Sequence, residues 1–331
     1  MLSRVLTRIA VPALAFAFAA FTLSAARAEN IAVSNYGSSA NGMPFGVALA
    51  KGFFKEEGAD VTGIISSQGG GASVRNALAG AAYGEANPGA VAVAIQSGAD
   101  LKIISDNVLT IAEFAWIVKK DSPIQTIKDL KGKKIGYTNP RSTSQALDVL
   151  LLEKAGYKPE DAELVKVGGF GPMIPALDLN QIDVACVTEP LWSQVKDKYR
   201  VLITGAEALP PLDNVVGITT AEAAKTRGDF IRAVIRARRR AVEFMITNPD
   251  EAGDIVAEPF GITKEVARSA IRNLTKSYTA GVPYWGTGQI NLAGMKRIIE
   301  VQKSVGAITG DIDLSKMIDT QFLPDDIKAP K

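Results

Sequence analysis

Residues 121–192 constrain this chain most, because they spell out a complete small α/β unit. Short β-rich runs stand at 134–137, 164–167 and 183–187, separated by segments long enough to hold crossover helices. That spacing predicts a parallel βαβαβ sheet. Leu147, Leu150, Leu151 and Ala155 recur at helical spacing between the first two strands, and Gly156 follows where a helix C-cap is expected. Ser142 and Gln145 have the spacing of a capping box, directly after Asn139, Pro140 and Arg141. A loop that leaves the C-terminal end of a parallel strand and enters a helix presents free backbone N–H groups, and open α/β sheets bind ligands there. Residues 141–144 are therefore the first candidate site.

At these residues the chain resembles a known family. DSPIQTIKDLKGKKIG, then an S/T-rich helix start, LLLEKAGYKPEDAEL, PALDLNQIDVA and TEP resemble the solute-binding proteins of ABC importers. The class is that of the nitrate, sulfonate and taurine binders, which includes binders of vitamin and pyrimidine precursors. MPFGVALAKGFFKEEGADV, earlier in the chain, and NPDEA, after a long helix, are similar to the same family. The resemblance implies a two-lobed periplasmic binding protein of type II. In that fold each lobe is a mostly parallel sheet flanked by helices, and two hinge crossings join the lobes. It also implies an ABC permease as partner. The chain has no GxxxxGK[ST] phosphate loop, so the ATPase is expected to be a separate subunit.

Arg4 and Arg8 precede an apolar run over 9–26, and Ala26, Arg27 and Ala28 give the small-x-small pattern of a cleavage site. Residues 1–28 read as a secretory signal peptide. Its removal takes three arginines and no acids, so the formal net charge of +2 becomes −1. That near-neutral balance gives no reason to expect nucleic acid as a partner. Cys186 is the only cysteine and lies in an apolar run, so it reads as buried core, and no cysteine is placed to carry a lipid anchor. A freely diffusing, monomeric periplasmic protein is expected. Histidine is absent, which removes the commonest metal ligand and the commonest neutral-pH base. No cofactor, metal or catalytic residue is expected, and the reading is not that of an enzyme. A mature chain of about 300 residues suits two cores better than one.

Taken in order, residues 29–119 are expected to form the first part of lobe one, 120–214 lobe two, and 215–331 a mostly helical return to lobe one. The first crossing is expected at 119–122 and the second near 214–219. Strand-to-helix turns recur at 35–42, 69–73, 85–89, 139–144 and 168–172. Ser38, Ser39, Asn41, Gly71 and Asn87 would line lobe one; Arg141, Ser142, Thr143, Phe170 and Glu189 would line lobe two. Helix N-termini carry partial positive charge, and Arg141 supplies a guanidinium suited to sulfonate or carboxylate. Glu189, in the family's acid-proline step, would accept from an amine or ring N–H, and Phe170 offers an aromatic face. A small organic anion is the first ligand reading, and a neutral or zwitterionic heterocycle the second; a periplasmic sensor subunit is a further alternative. Residues 283–286, Pro-Tyr-Trp-Gly, read as a loop whose aromatics either wall the cleft or bury the chain end. Arg232, Arg236, Arg239 and Arg240 read as a solvated helix face.

Overall fold

A computed structural model describes residues 29–67, 69–140 and 142–328. The expected signal peptide, 1–28, and Arg141 lie outside the described residues.

The first lobe begins with β1 (Glu29–Ser34), α1 (Met43–Ala50) and α2 (Phe53–Glu57). β2 (Val61–Ser67), α3 (Gly70–Leu78), β3 (Gly84–Ala86), α4 (Pro88–Gln96) and β4 (Leu101–Val108) follow. Pro44 occupies the first turn of α1, where its missing N–H costs nothing. The second lobe holds β5 (Phe114–Lys119), β6 (Lys134–Tyr137), α5 (Thr143–Ala155), β7 (Glu163–Lys166) and α6 (Met173–Asp178). It continues through β8 (Val184–Thr188), α7 (Leu191–Val195) and β9 (Tyr199–Thr204). α5 starts at its Ser142 cap and ends at Gly156 in the left-handed region, φ 83°, as the capping signals require.

α8 (Gly205–Ala208) leads to β10 (Val215–Thr220), α9 (Ala221–Thr226), α10 (Gly228–Thr247), α11 (Pro249–Ala257) and α12 (Lys264–Thr275). A short hairpin of β11 (Tyr278–Thr279) and β12 (Val282–Pro283), then β13 (Trp285–Gly288) and α13 (Leu292–Ser304), complete the frame.

The first sheet has the order β13-β4-β10-β3-β1-β2 and the second β7-β6-β8-β5-β9. Edge strand β13 aside, the two share one plan. The lobe's own strands run parallel, and a single strand inserted next to the third runs against both neighbours. The inserted strand is β10 in the first sheet and β5 in the second.

That plan moves one expected boundary. Residues 114–118, expected to complete lobe one, belong to β5 and pair with β8 and β9. The first crossing is therefore 109–113 and not 119–122. Phe114, Trp116 and Val118 pack on one face of the second sheet, and Ala115 and Ile117 on the other. The period-2 alternation of a strand buried on both faces fits either sheet, so the apolar run alone did not choose.

Residues 283–286, expected in a loop, instead end β12 and start β13, with Tyr284 and Trp285 buried beside β4. The return segment also does more than cover lobe one. Ile298 and Val301 of α13 pack with Ile111, Leu147 and Leu151 in the core of the second lobe. Arg236 and Arg240 pair with Glu57, Arg240 also pairs with Glu56, and Arg239 pairs with Glu243 and Asp326.

Residues 215–219, expected within the second crossing, belong to β10, so that crossing is 205–214, and the two crossings touch. A Cβ on Gly205 would stand 2.2 Å from the carbonyl oxygen of Ile111, so only glycine lets the chains pass at this distance. Gly205→Ala is expected to cost about 1–3 kcal/mol of unfolding free energy, measured by urea titration, because backbone must move to admit the methyl.

Candidate functional site

Two helix N-termini meet between the lobes. Asn87 caps α4 by accepting from the Gly89 amide at 2.8 Å, which leaves its side-chain NH2 to donate elsewhere. That group reaches across to Thr143 Oγ1 at 3.2 Å and to the Asn214 carbonyl at 3.2 Å. Thr143 is the first residue of α5, and Ser142 caps that helix by accepting from the Gln145 amide at 3.2 Å. Ser144, buried in the same turn, accepts from the Thr138 amide at 3.0 Å.

A second cluster adjoins the first through Asn214. Its Nδ2 donates to Glu113 Oε1 at 2.7 Å, and Ser39 Oγ donates to Glu113 Oε2 at 2.8 Å. Glu113 ends the first crossing, Asn214 ends the second, and Ser39 belongs to the first lobe's opening turn. The backbone extends the contact: the Glu189 amide donates to the Glu113 carbonyl at 3.0 Å, and the Ala40 amide to the Glu189 carbonyl at 3.1 Å. The Glu189 carboxylate accepts from Ser193 through its amide and hydroxyl, both at 3.1 Å, and from Asn273 Nδ2 of α12 at 2.8 Å. At the rim, Lys196 donates to Ser269 Oγ at 3.1 Å, and that oxygen lies 3.1 Å from the Ser193 hydroxyl.

Both acids are buried, and desolvation disfavours their charged forms. Burial pushes Glu113 up to about 7, against the hydrogen bonds of Ser39 and Asn214, and the neighbouring Glu189 adds to the rise. Burial also raises Glu189, while Asn273, Ser193 and Lys196 oppose it. The Tyr284 hydroxyl is fully buried and faces Glu113 without reaching hydrogen-bond geometry. The cluster is thus a continuous polar line, Ser39–Glu113–Asn214–Asn87–Thr143, able to donate and to accept along its length.

The expected site residues divide. Ser39, Asn87, Ser142, Thr143 and Glu189 stand in or beside this line. Asn41 points inward, donating to the Ser34 carbonyl at 2.8 Å and to Glu85 Oε2 at 2.9 Å, so it serves the first lobe's interior. Ser38 is exposed and bonds to the Asn35 carbonyl within its own turn. Gly71 lies exposed in the first turn of α3, and Phe170 packs edge-on against Phe114 at 6.0 Å between ring centres. Glu113, Asn214, Ser193 and Asn273 were not expected, and Tyr284, read as either a cleft wall or a buried chain end, is buried with its hydroxyl toward Glu113. Glu113 carried a signal, as the one charged residue in the apolar run 108–118. Two surface pockets lie elsewhere, one beside β7 and α6, the other between α5 and α13.

Two mixed sheets of one plan, joined by two crossings with a buried polar cluster at the junction, define the architecture of the periplasmic binding proteins. The chain belongs to the NMT1/THI5-like family, which residues 39–252 match. It is similar to the riboflavin-binding protein RibY of Chloroflexus aurantiacus, with 21% identity over 300 residues, covering 85% of this chain and 82% of the relative. Its fold is that of the periplasmic aliphatic sulphonate binding protein SsuA from Escherichia coli. There the TM-score is 0.75 at 17% identity, over 88% of this chain and 92% of that one. The periplasmic nitrate-binding protein NrtA from Synechocystis PCC 6803 gives 0.68 at 16% identity, over 87% and 84%. Among the described residues no helix is long and apolar enough to cross a membrane.

Glu85 and Asp106 are likewise pushed up to about 7 by burial. Between about pH 4.5 and 7 the folded chain keeps protons that the unfolded chain has released, so stability declines as pH rises through that window. A higher Tm at pH 5 than at pH 8 is expected, checked by calorimetry across the range.

Proposed function

We propose that this protein is an extracytoplasmic solute-binding protein that captures a neutral or zwitterionic heterocycle between its lobes. It delivers that ligand to an ABC permease driven by a separate ATPase subunit. Residues 1–28 direct it to the periplasm, where it acts as a diffusible monomer, and no chemical step is assigned to it. The observation that carries this reading is the polar line from Ser39 to Thr143, which offers alternating donors and acceptors and includes an acid that holds its proton near neutrality. A ring carbonyl or ring nitrogen would accept from the second Asn214 N–H or the Thr143 hydroxyl, and a ring N–H would donate to Glu113. A neutral ligand leaves those acids undisturbed, whereas an anion beside Glu113 and Glu189 meets like charge or forces further proton uptake. The printed name of the relative RibY, a riboflavin-binding protein, supports a heterocycle.

A second reading, a small organic anion such as a sulfonate or carboxylate, is favoured by the meeting of the α4 and α5 N-termini at Asn87 and Thr143. Arg141 is adjacent in sequence to that point, and SsuA is by name a sulphonate binder. The two readings separate in a thermal-shift series on residues 29–331. Pyrimidine or flavin-type heterocycles are expected to raise stability by about 2.7 kcal/mol at a hundred times their dissociation constant. Sulfonates and carboxylates are expected to leave the Tm unchanged. A response to anions alone would replace the heterocycle with the anion.

A further inference from the structure

In the junction Glu113 touches both crossings and both lobes. Its side chain takes a hydrogen bond from Asn214 at the end of the second crossing and another from Ser39 in the first lobe. Its backbone carbonyl takes the amide of Glu189 in the second lobe. It is itself the last residue of the first crossing, a few residues from the point where Gly205 and Ile111 pass each other in contact.

The charge that surrounds it is one-sided. From β8 the nearest ionisable neighbour is Glu189; from the segment between β12 and β13 it is the Tyr284 hydroxyl; Ser39 and Asn214 are neutral. The nearby cations are committed elsewhere. Lys196 donates to Ser269, and Arg238 of α10 donates to the carbonyls of Gly286 and Asn107 and pairs with Glu85 at 3.8 Å. Among the described residues, an ionised Glu113 therefore has two hydrogen-bond donors but no counter-ion. Water reaching the junction would stabilise that charge, and water reaches it when the lobes part.

We propose that Glu113 is a proton-operated hinge pin, a positioning residue that holds the lobes closed while protonated and favours opening once it is ionised. Protonated, it keeps Ser39 and Asn214 in register with Asn87 and Thr143, so the ligand-facing line stays assembled. Ionised, it shifts the balance toward the open form: the closed-to-open ratio falls by up to about tenfold per pH unit between the acid's ordinary range and its raised value in the junction, and levels off above that. Ligand retention is then strongest on the acidic side of neutrality. The inference rests on reading this cleft as the binding site, and its test needs no ligand, so its failure is distinct from failure of the ligand assignment.

The experiment is small-angle X-ray scattering of ligand-free protein, residues 29–331, from pH 5.5 to 8.5. The wild type is expected to expand reversibly near neutral pH while its far-UV circular dichroism stays constant. Glu113→Gln puts a neutral amide in place of the acid, its oxygen accepting from Asn214 and its NH2 turned to the Ser39 hydroxyl as the proton of a neutral carboxyl would be, and is expected to stay compact throughout. Glu189→Gln is expected to keep a transition, with its midpoint moved to lower pH because the Glu189 charge helps to raise Glu113. Asn214→Ala removes a bond that favours the ionised acid, so its midpoint is expected to move to higher pH, an effect that mere loosening of the fold would not give. A wild type of constant radius, or a Glu113→Gln transition matching the wild type, would overturn the proposal. An unmoved midpoint in Asn214→Ala would overturn it as well, even if Glu113→Gln does not fold.

Discussion

Burial of carboxyl groups is the constraint on which the rest of this structure depends. Among the described residues Glu85, Asp106, Glu113, Asp148, Glu189 and Asp213 are all buried, and Arg238 is the buried cation. Removing a charged carboxylate from water costs several kcal/mol, and unpaired charge inside a core is destabilising. The protein meets that cost with hydrogen bonds and retained protons. Asp148 accepts from the Trp116 indole at 2.7 Å and is pushed well up by burial. Asp106 and Asp213 lie together, and Asp213 is raised by burial and by its neighbour. Glu85 takes Arg238 alongside Asn41 and Asn107. The acids at the lobe junction obey the same rule, so the cleft is polar without being strongly charged.

Local chemistry made much of the fold legible. The strand at 134–137 falls where alternation placed it, and those expected at 164–167 and 183–187 lie one residue away, at Glu163–Lys166 and Val184–Thr188. Ser142 and Gly156 bound α5 because a cap needs only its own turn. What the sequence could not decide was pairing. The run at 114–119 has the composition of any strand buried on both faces, and only contacts with β8 and β9, remote in the chain, assign it to the second sheet. Trp285–Gly288 is short and glycine-rich, so it carries little strand signal until β4 supplies a partner.

The site divides along the same line. Ser142 was read as a helix cap and Asn87 as part of a strand-to-helix turn, and both cap their helices at the junction. Asn41 lay in the right turn but faces inward, because the buried Glu85 needs a donor more than the cleft does. Asn273 and Tyr284 have no local signature, since each reaches the junction only by tertiary packing. Glu113 stood out as a lone acid among apolar neighbours, and a residue of that kind is tolerated in a strand border only when partners from elsewhere satisfy it.

The exchange of strands between lobes also sets an order of assembly. Every strand of the second sheet comes from one uninterrupted stretch, β5 through β9, so its ladder closes as soon as residue 204 is available. The first sheet has no such independence. β4 borders β10 on one side and β13 on the other, and β3 reaches β4 only through β10. A chain emerging from its N-terminus must hold β1 to β4 as an unfinished half-sheet while the other lobe forms. β10 then joins the two pieces, α13 seals the second lobe's core with Ile298 and Val301, and Leu314, Phe322 and Ile327, which follow it in the chain, close the core of the first. The lobe that is begun first is thus the lobe that is finished last.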